Sequence, residues 1–284
     1  KNNMPNSGNS GEGKADKYQL LTPTQNTVLG ISAGTIEVVI LQPMLYCKNA
    51  TQQNLKLTLN PKILYRGLMM SIVNMSVLTG LQFPLTGMVT NAINGGSGSR
   101  LSDGEQIAAG FLGGAISGVA CAPMELVMIQ QQRFAGSIFS TPGRLVSSFG
   151  FASLFRGLVT SCGREGMFTA GYMGIGPVVN RTVVEDYGYS PATGTFAGAV
   201  GGGVIAATLS HPMDTIKTCM QGDIEQKTYT SLSGTARKLY QEAGLSRFFQ
   251  GWAWRTSRMI CAVAIMGECK TRLAPIFYPS LFED

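Results

Sequence analysis

The sequence predicts an all-α membrane protein: six transmembrane helices in three pseudo-symmetric repeats, joined by short surface helices. Three observations carry that expectation. Charged residues fill 13% of the 284 positions against 44% hydrophobic ones, roughly half the 25% charge usual for a soluble domain. The charges are spaced so that they leave gaps near bilayer length. A short block built on Pro-Met also recurs three times. Such a composition excludes a disordered chain and argues against an ordinary soluble enzyme.

Residues 1–22 are rich in Asn, Gly, Ser and Lys with little to pack, and are expected to form a disordered tail. They lack the apolar core of a secretory signal and the Arg-rich amphipathic pattern of a presequence. Charge-free stretches then run from Tyr18 to Ile36, between Arg66 and Arg100, and from Gln106 to Met124, Gly166 to Asn180 and Tyr187 to Ser210. About 20 residues cross a hydrocarbon core. A sixth window follows Arg258; it is interrupted early by Glu268, Lys270 and Arg272, but Met259 to Gly267 is apolar and Trp252 and Trp254 suit an interfacial end. The runs are continuously apolar instead of alternating, so they read as helices and not barrel strands.

The repeat sets the architecture. QPMLYCKNATQ ends at Gln52, APMELVMIQQQ at Gln132 and HPMDTIKTCMQ at Gln221, so that Gln follows Pro43, Pro123 and Pro212 by nine residues each time. Each block leads to an aromatic-basic-Gly step: Tyr65-Arg66-Gly67, Phe155-Arg156-Gly157, and Phe249-Gln250-Gly251, where Gln replaces the base. Small residues stand 13 and 9 positions before each Pro, as Gly30 and Gly34, Gly110 and Gly114, and Ala199 and Gly203. At that spacing they let helix backbones approach closely in lipid. The expected units are residues 23–99, 100–188 and 189–284, within one structural domain.

Over about residues 24 to 275 the chain resembles the mitochondrial carrier family, whose hallmark is Pro-x-acid-x-x-base with a later Gln, three times over, then an aromatic-basic-Gly step. Only the third copy, Pro212-Met213-Asp214-Thr215-Ile216-Lys217, is complete. The resemblance implies six tilted helices around one cavity, with short surface helices on the matrix side. It implies the inner mitochondrial membrane, transport of a small metabolite by antiport, and no enzyme activity. Loop charge points the same way. The loops at 49–66 and 133–156 carry bases without acids, whereas Arg100 and Arg181 on the opposite side sit among Asp103, Glu105, Glu185 and Asp186. By the positive-inside bias both termini face the intermembrane space, and the net charge of +6 reflects topology and anionic lipid, not nucleic acid.

The resemblance also assigns roles. The acid of one repeat pairs with the base of the next to close the matrix side, giving Glu125 with Lys217 and Asp214 with Lys48. The third pair falls on Leu45 and Met128, so both partners are replaced together. Losing one partner strands a charge at about 3 to 5 kcal/mol, while apolar replacement of both is often neutral. Gln52, Gln132 and Gln221 are expected as braces beneath the bridges, and Pro43, Pro123 and Pro212 as kinks. Of the cytosolic counterparts, 83–90 and 172–180 carry no charge and 267–273 carries Glu268, Lys270 and Arg272 at the wrong offsets for the family's charged run, which favours a cytosol-open state. Seven residues past each step Gly lie the expected substrate contacts Asn74, Arg164 and Arg258, with Glu165 beside Arg164. Charge at mid-membrane is costly and usually functional. The Arg164-Glu165 pair is similar to the receptor for a carboxylate and an ammonium in the amino-acid and carnitine branch. That branch often has an acid where Val77 stands; Glu37 either substitutes for it or neutralises Arg258.

Cardiolipin is the expected bound lipid, at Arg66, Gly67, Arg156, Gly157 and Gly251, because helix N-termini bind anions. The lone His211 is expected to be structural, and the six cysteines, without metal or disulfide spacing, small buried hydrophobes. No nucleophile-base, metal or phosphate-loop constellation is present, so no catalytic residue, metal or other cofactor is assigned. Two readings stay open: an exchanger of a small zwitterionic or carboxylate-bearing metabolite, and a carrier-derived accessory subunit of a large inner-membrane complex such as a respiratory assembly. The second draws on the missing cytosolic network, the absent first bridge and the short linker between Gln52 and Arg66.

Overall fold

The computed structural model describes residues 21–95 and 101–282, so the expected N-terminal tail and Arg100 lie largely or wholly outside the described residues. Helices dominate, and no strand occurs among the described residues. The first repeat runs α1 (Pro23–Gln52), the single turn α2 (Pro61–Leu64) and α3 (Leu68–Ile93). The second runs α4 (Asp103–Phe134), α5 (Ser140–Phe149) and α6 (Leu158–Thr169); α6 continues through a π-helical turn, Ala170–Ile175, into α7 (Gly176–Arg181) and a second π segment, Thr182–Asp186. The third runs α8 (Pro191–Gly222), α9 (Leu232–Ala243) and α10 (Trp252–Phe277), closed by the short α11 (Pro279–Phe282).

Local chemistry sets the boundaries. Thr22, Ser102 and Ser190 cap the three odd helices, each side-chain hydroxyl accepting from the backbone N–H three residues on. Gln25 and Glu105 complete capping boxes at the first two. The even helices start instead at the step glycines, with φ of 78° at Gly67, 78° at Gly157 and 82° at Gly251. That left-handed turn is why the step ends in Gly: a side chain there would be strained. The linker before Gly67 holds only the four-residue α2, with no buried residue, whereas α5 and α9 insert Leu145 and Leu239 beneath the long helices.

The long helices close into a ring: α1 packs on α3, α3 on α4, α4 on α6, α6 and α7 on α8, α8 on α10, and α10 back on α1. Contacts of α8 with α1 and with α4 draw the odd helices together. Large apolar side chains such as Ile40, Leu112, Ile116, Phe196, Leu209 and Ile260 are exposed, as a lipid-facing surface requires. By length and composition α1, α4, α8 and the stretch Pro61–Ile93 are apolar enough to cross a bilayer. The 151–186 stretch passes that test only together with α5, from which it bends by 115°. The sixth helix, α10, carries Arg255, Arg258, Glu268, Lys270 and Arg272.

Close approach through small residues is concentrated in the second repeat and its contact with the third. A Cβ on Gly114 would lie 2.4 Å from Thr169 Oγ1, one on Gly118 2.8 Å from Cys162 Cα, and one on Gly171 2.3 Å from Ala206 Cβ. The expectation fails in the first repeat, where Gly30 faces open space and Gly34 meets only the tip of Met75. In the third repeat the tight positions include Gly198 and Gly202, against Asn180 and Gly176. Gly171→Val should therefore cost about 1 to 3 kcal/mol through overpacking, while Gly30→Ala leaves stability unchanged or slightly raised. Thermal unfolding in detergent distinguishes the two. The cysteines correct a second expectation: only Cys121 and Cys219 are buried, and Cys261 is exposed.

Candidate functional site

At the end of the ring that carries the surface helices, residues from all three repeats meet in a fixed pattern. Lys48 Nζ lies 2.6 Å from Asp214 Oδ2, and Lys217 Nζ lies 3.0 Å from Glu125 Oε1 and 3.1 Å from Asp214 Oδ1. These pairs tie the first repeat to the third and the third to the second. Where the remaining pair would stand, Leu45 packs against the apolar cluster of Met70, Leu126 and Met128, and Ser71 Oγ sits 3.1 Å from Met128 Sδ. An apolar contact thus replaces an ionic one. Leu45→Glu or Met128→Lys alone should each cost about 3 to 5 kcal/mol, and the double variant should recover most of that; a double-mutant cycle on thermal unfolding measures the coupling.

The three Gln residues are less alike than their spacing suggests. Gln52 Nε2 donates to Asp214 Oδ2 at 2.9 Å and to Thr215 Oγ1 at 3.1 Å, directly beneath a bridge. Gln132 Oε1 accepts from Asn49 Nδ2 at 2.7 Å, beside the apolar pair. Among the described residues Gln221 hydrogen-bonds to neither bridge and donates to the carbonyls of Ala122 and Arg156, both at 3.3 Å, which corrects its assignment as a brace. What the three share is a neighbour: a Cβ on Gly67 would lie 3.6 Å from Gln132 Cγ, one on Gly157 3.4 Å from Gln221 Cγ, and one on Gly251 3.4 Å from Gln52 Cγ. Each Gln therefore packs against the step of the preceding repeat in a closed cycle. The Gln spacing and the Gly step are two halves of one interface. Pro43, Pro123 and Pro212 each lie inside their helix, and the residue before them serves the same joint: Gln42 donates to Arg66 O at 3.0 Å and His211 Nε2 meets Gln250 O at 3.0 Å. His211 is buried.

Above the bridges, Arg164 is the hub. Its guanidinium pairs with Glu165 next to it and with Glu125 Oε1 at 2.5 Å, and its Nε lies 3.6 Å from Asp214 Oδ1. Ser161, one turn earlier on α6, donates to Glu125 Oε2 at 3.1 Å. Arg164 and Glu165 are thus joined to the bridge network instead of standing apart from it, a link the sequence did not disclose. Arg258 pairs with Glu37 at 2.7 Å, so Glu37 neutralises Arg258. Asn74 makes no hydrogen bond through its buried Oδ1. The sequence reading missed Arg255, whose Nη2 donates to Ser210 Oγ at 2.7 Å and whose Nη1 lies 3.6 Å from Asp214 Oδ2. A charge in an apolar helix one turn before Arg258 was the available signal.

The opposite end is sparse. Its described ion pairs are Arg181 with Asp103 at 2.8 Å and Glu268 with Arg272 at 2.6 Å; both are well exposed, and the second lies within one helix. The surface loops hold one more joint. Arg156 donates to the carbonyls of Met220 at 2.7 Å, Thr230 at 3.3 Å and Tyr229, so its guanidinium is committed to the third repeat. Asp223 accepts from the backbone N–H groups of Lys227, Thr228 and Tyr229. Burial raises its pKa, but those bonds and Arg156 outweigh burial and hold it below the ordinary carboxylate range. The stability this gives the loop is present at neutral pH and is lost as pH falls through that lowered value. Arg247, buried, pairs with Glu242 at 2.7 Å and donates to Gln250 Oε1 at 2.7 Å, in the repeat where Gln replaces the step's base. Among the described residues no group of acids, Cys and His has metal-binding geometry.

A ring of six long helices, bridged at one end by interlocking ion pairs and holding buried charge inside, is the architecture of a membrane solute carrier. A family model described as mitochondrial carrier protein matches residues 99–186 and 188–274, and the chain belongs to the mitochondrial carrier family. It is similar to the tricarboxylate transport protein of Saccharomyces cerevisiae, 24% identical over 278 residues, covering 86% of this chain and 92% of that one. It is 23% identical over 273 residues to the mitochondrial glycine transporter of Yarrowia lipolytica, covering 83% and 89%. It is 27% identical over 201 residues to the electrogenic aspartate/glutamate antiporter SLC25A12 of Homo sapiens, covering 69% of this chain and 29% of that protein. The chain is accordingly a multi-pass carrier of small metabolites in the inner mitochondrial membrane, and not an enzyme.

Proposed function

We propose that the chain exchanges a small metabolite bearing a carboxylate and an ammonium group, amino-acid-like or carnitine-like, by alternating access. One observation carries the reading: Arg164 joins Glu165 to Glu125, and through Glu125 to the Lys217 bridge. A carboxylate arriving at Arg164 competes with Glu125 for the guanidinium fork, while an ammonium is drawn to Glu165. Taking Arg164 from Glu125 weakens the bridged end at the moment the solute is held, which couples occupancy to opening. The bridged end faces the matrix and both termini face the intermembrane space. Arg258, balanced by Glu37, and Asn74 complete the contact set.

Cardiolipin occupies the helix starts at Gly67, Gly157 and Gly251, held by backbone N–H groups; Arg66 supplies charge, while Arg156 acts mainly by tying the repeats together. The reading as an accessory subunit is favoured by one observation, the sparse ion pairing at the cytosolic end. Ligand-induced stabilisation of the purified chain tests the substrate class. An amino acid or carnitine should raise the unfolding temperature; stabilisation by citrate alone would overturn the class.

A further inference from the structure

The charges inside the ring do not cancel. Among the described residues its buried acids are Glu37, Glu125, Glu165 and Asp214, and its bases are Lys48, Arg164, Lys217, Arg255 and Arg258. Four acids thus face five bases. Lys48 and Lys217 have close carboxylate partners, as do Arg164 and Arg258. Arg255 is the base left over. Its nearest carboxylate, Asp214 at 3.6 Å, already receives Lys48 at 2.6 Å, Gln52 at 2.9 Å and Lys217 at 3.1 Å. Its one hydrogen bond among the described residues goes to a neutral hydroxyl, Ser210, and its guanidinium carbon stands 5.9 Å from the Phe168 ring centroid, one turn along α6 from Arg164. A buried, uncompensated cation is costly unless something fills its place.

The unused hydrogen-bonding atoms describe what would fill it. Arg164 Nε, Arg255 Nη1 and Arg258 Nε are buried donors without a hydrogen-bond partner, and Glu165 Oε2 and Asn74 Oδ1 are buried acceptors without one. Three guanidinium donors suit two carboxylates, and two acceptors of which one is a carboxylate suit a single ammonium.

We infer that Arg255 is a further anion contact for the solute, and that the single uncompensated positive charge makes this solute an amino dicarboxylate instead of an electroneutral zwitterion. The inference rests on the reading of Arg164 and Glu165 as solute contacts and narrows its substrate class. One carboxylate engages Arg164, the second engages Arg255 with Arg258, and the ammonium meets Glu165. A monoanion then leaves the occupied ring electrically balanced.

Uptake by the full chain in proteoliposomes, with glutamate, glutamine and glycine as probes, tests this. The wild type should prefer glutamate to glutamine by about 10-fold or more, the worth of one charge-assisted contact. Arg255→Gln, which leaves four bases facing four acids, should lower glutamate uptake by about 10- to 100-fold and reverse the preference towards glutamine. Arg255→Lys keeps the charge and should keep the preference at a reduced rate. It decides the matter if Arg255→Gln no longer unfolds cooperatively, since a lost preference in the Lys variant overturns the inference. Equal wild-type uptake of glutamine or glycine, or an unchanged preference in Arg255→Gln, overturns it as well while leaving the carrier reading intact. If no probe is taken up by the wild type or raises its unfolding temperature, the inference fails, and the substrate class beneath it fails with it when carnitine is inert as well.

Discussion

Arg164→Ala is expected to bring exchange down to the protein-free background, a loss on the order of 1,000-fold. The fork that holds Glu125 and Glu165 is the one offered to the solute carboxylate, and losing two charge-assisted bonds to the solute at about 1.5 to 3 kcal/mol each accounts for that size. The structural consequence is uneven. Glu125 keeps Lys217 and Ser161, whereas Glu165, fully buried, loses its ion-pair partner. The bridged end should therefore persist while the solute contact disappears, so the variant remains folded but inert. Arg164→Lys retains the charge without the planar fork and should be intermediate. Undiminished uptake by the Ala variant would remove Arg164 from the site.

Asp214→Asn should have a large effect on stability. Lys48 and Lys217 approach its carboxylate at 2.6 and 3.1 Å, Gln52 donates to it at 2.9 Å, and Arg164 and Arg255 stand at 3.6 Å. Neutralising it leaves Lys48 buried without its acid and widens the excess of bases inside the ring. Breaking one side of a buried pair costs about 3 to 5 kcal/mol, and at about 2 °C or more per kcal/mol the unfolding temperature should drop by about 6 °C or more. It also unlocks the first repeat from the third, an interface that Leu45 and Met128 cannot reinforce because they join the first repeat to the second. A melting curve of the purified variant in detergent checks this.

Much of this fold was legible because the sequence states it three times. The Pro-Met blocks, the Gln nine residues on and the Gly of each step keep register, so the helices and two of the bridges could be placed by pairing rules alone. The paired loss of Leu45 and Met128 was legible for the same reason, since charge removed from both sides of a contact leaves an apolar match. Features that occur once were not legible. Arg255 stands where the other repeats have Ser71 and Ser161, so comparing repeats gives it no signal and only its charge in an apolar helix marks it. The π-helical turns at 170–175 and 182–186 lie in a stretch whose composition reads as ordinary helix. The roles of Gln132 and Gln221 depend on what stands opposite them, which spacing cannot report. Arg164's bond to Glu125 crosses from α6 to α4, and residues 39 apart in sequence meet only once the helices pack. The Gly30 position shows the converse: a repeated small residue was legible as a motif, but the close contact belongs to the second repeat and not the first.

The most direct test of the central claim is counter-exchange by the purified chain in proteoliposomes, comparing vesicles preloaded with unlabelled amino acid against empty ones. The account predicts uptake of labelled amino acid that depends on the internal load and vanishes in Arg164→Ala. Uptake no greater than in protein-free vesicles, with the chain instead recovered from native membranes at fixed stoichiometry in a large assembly, would contradict it.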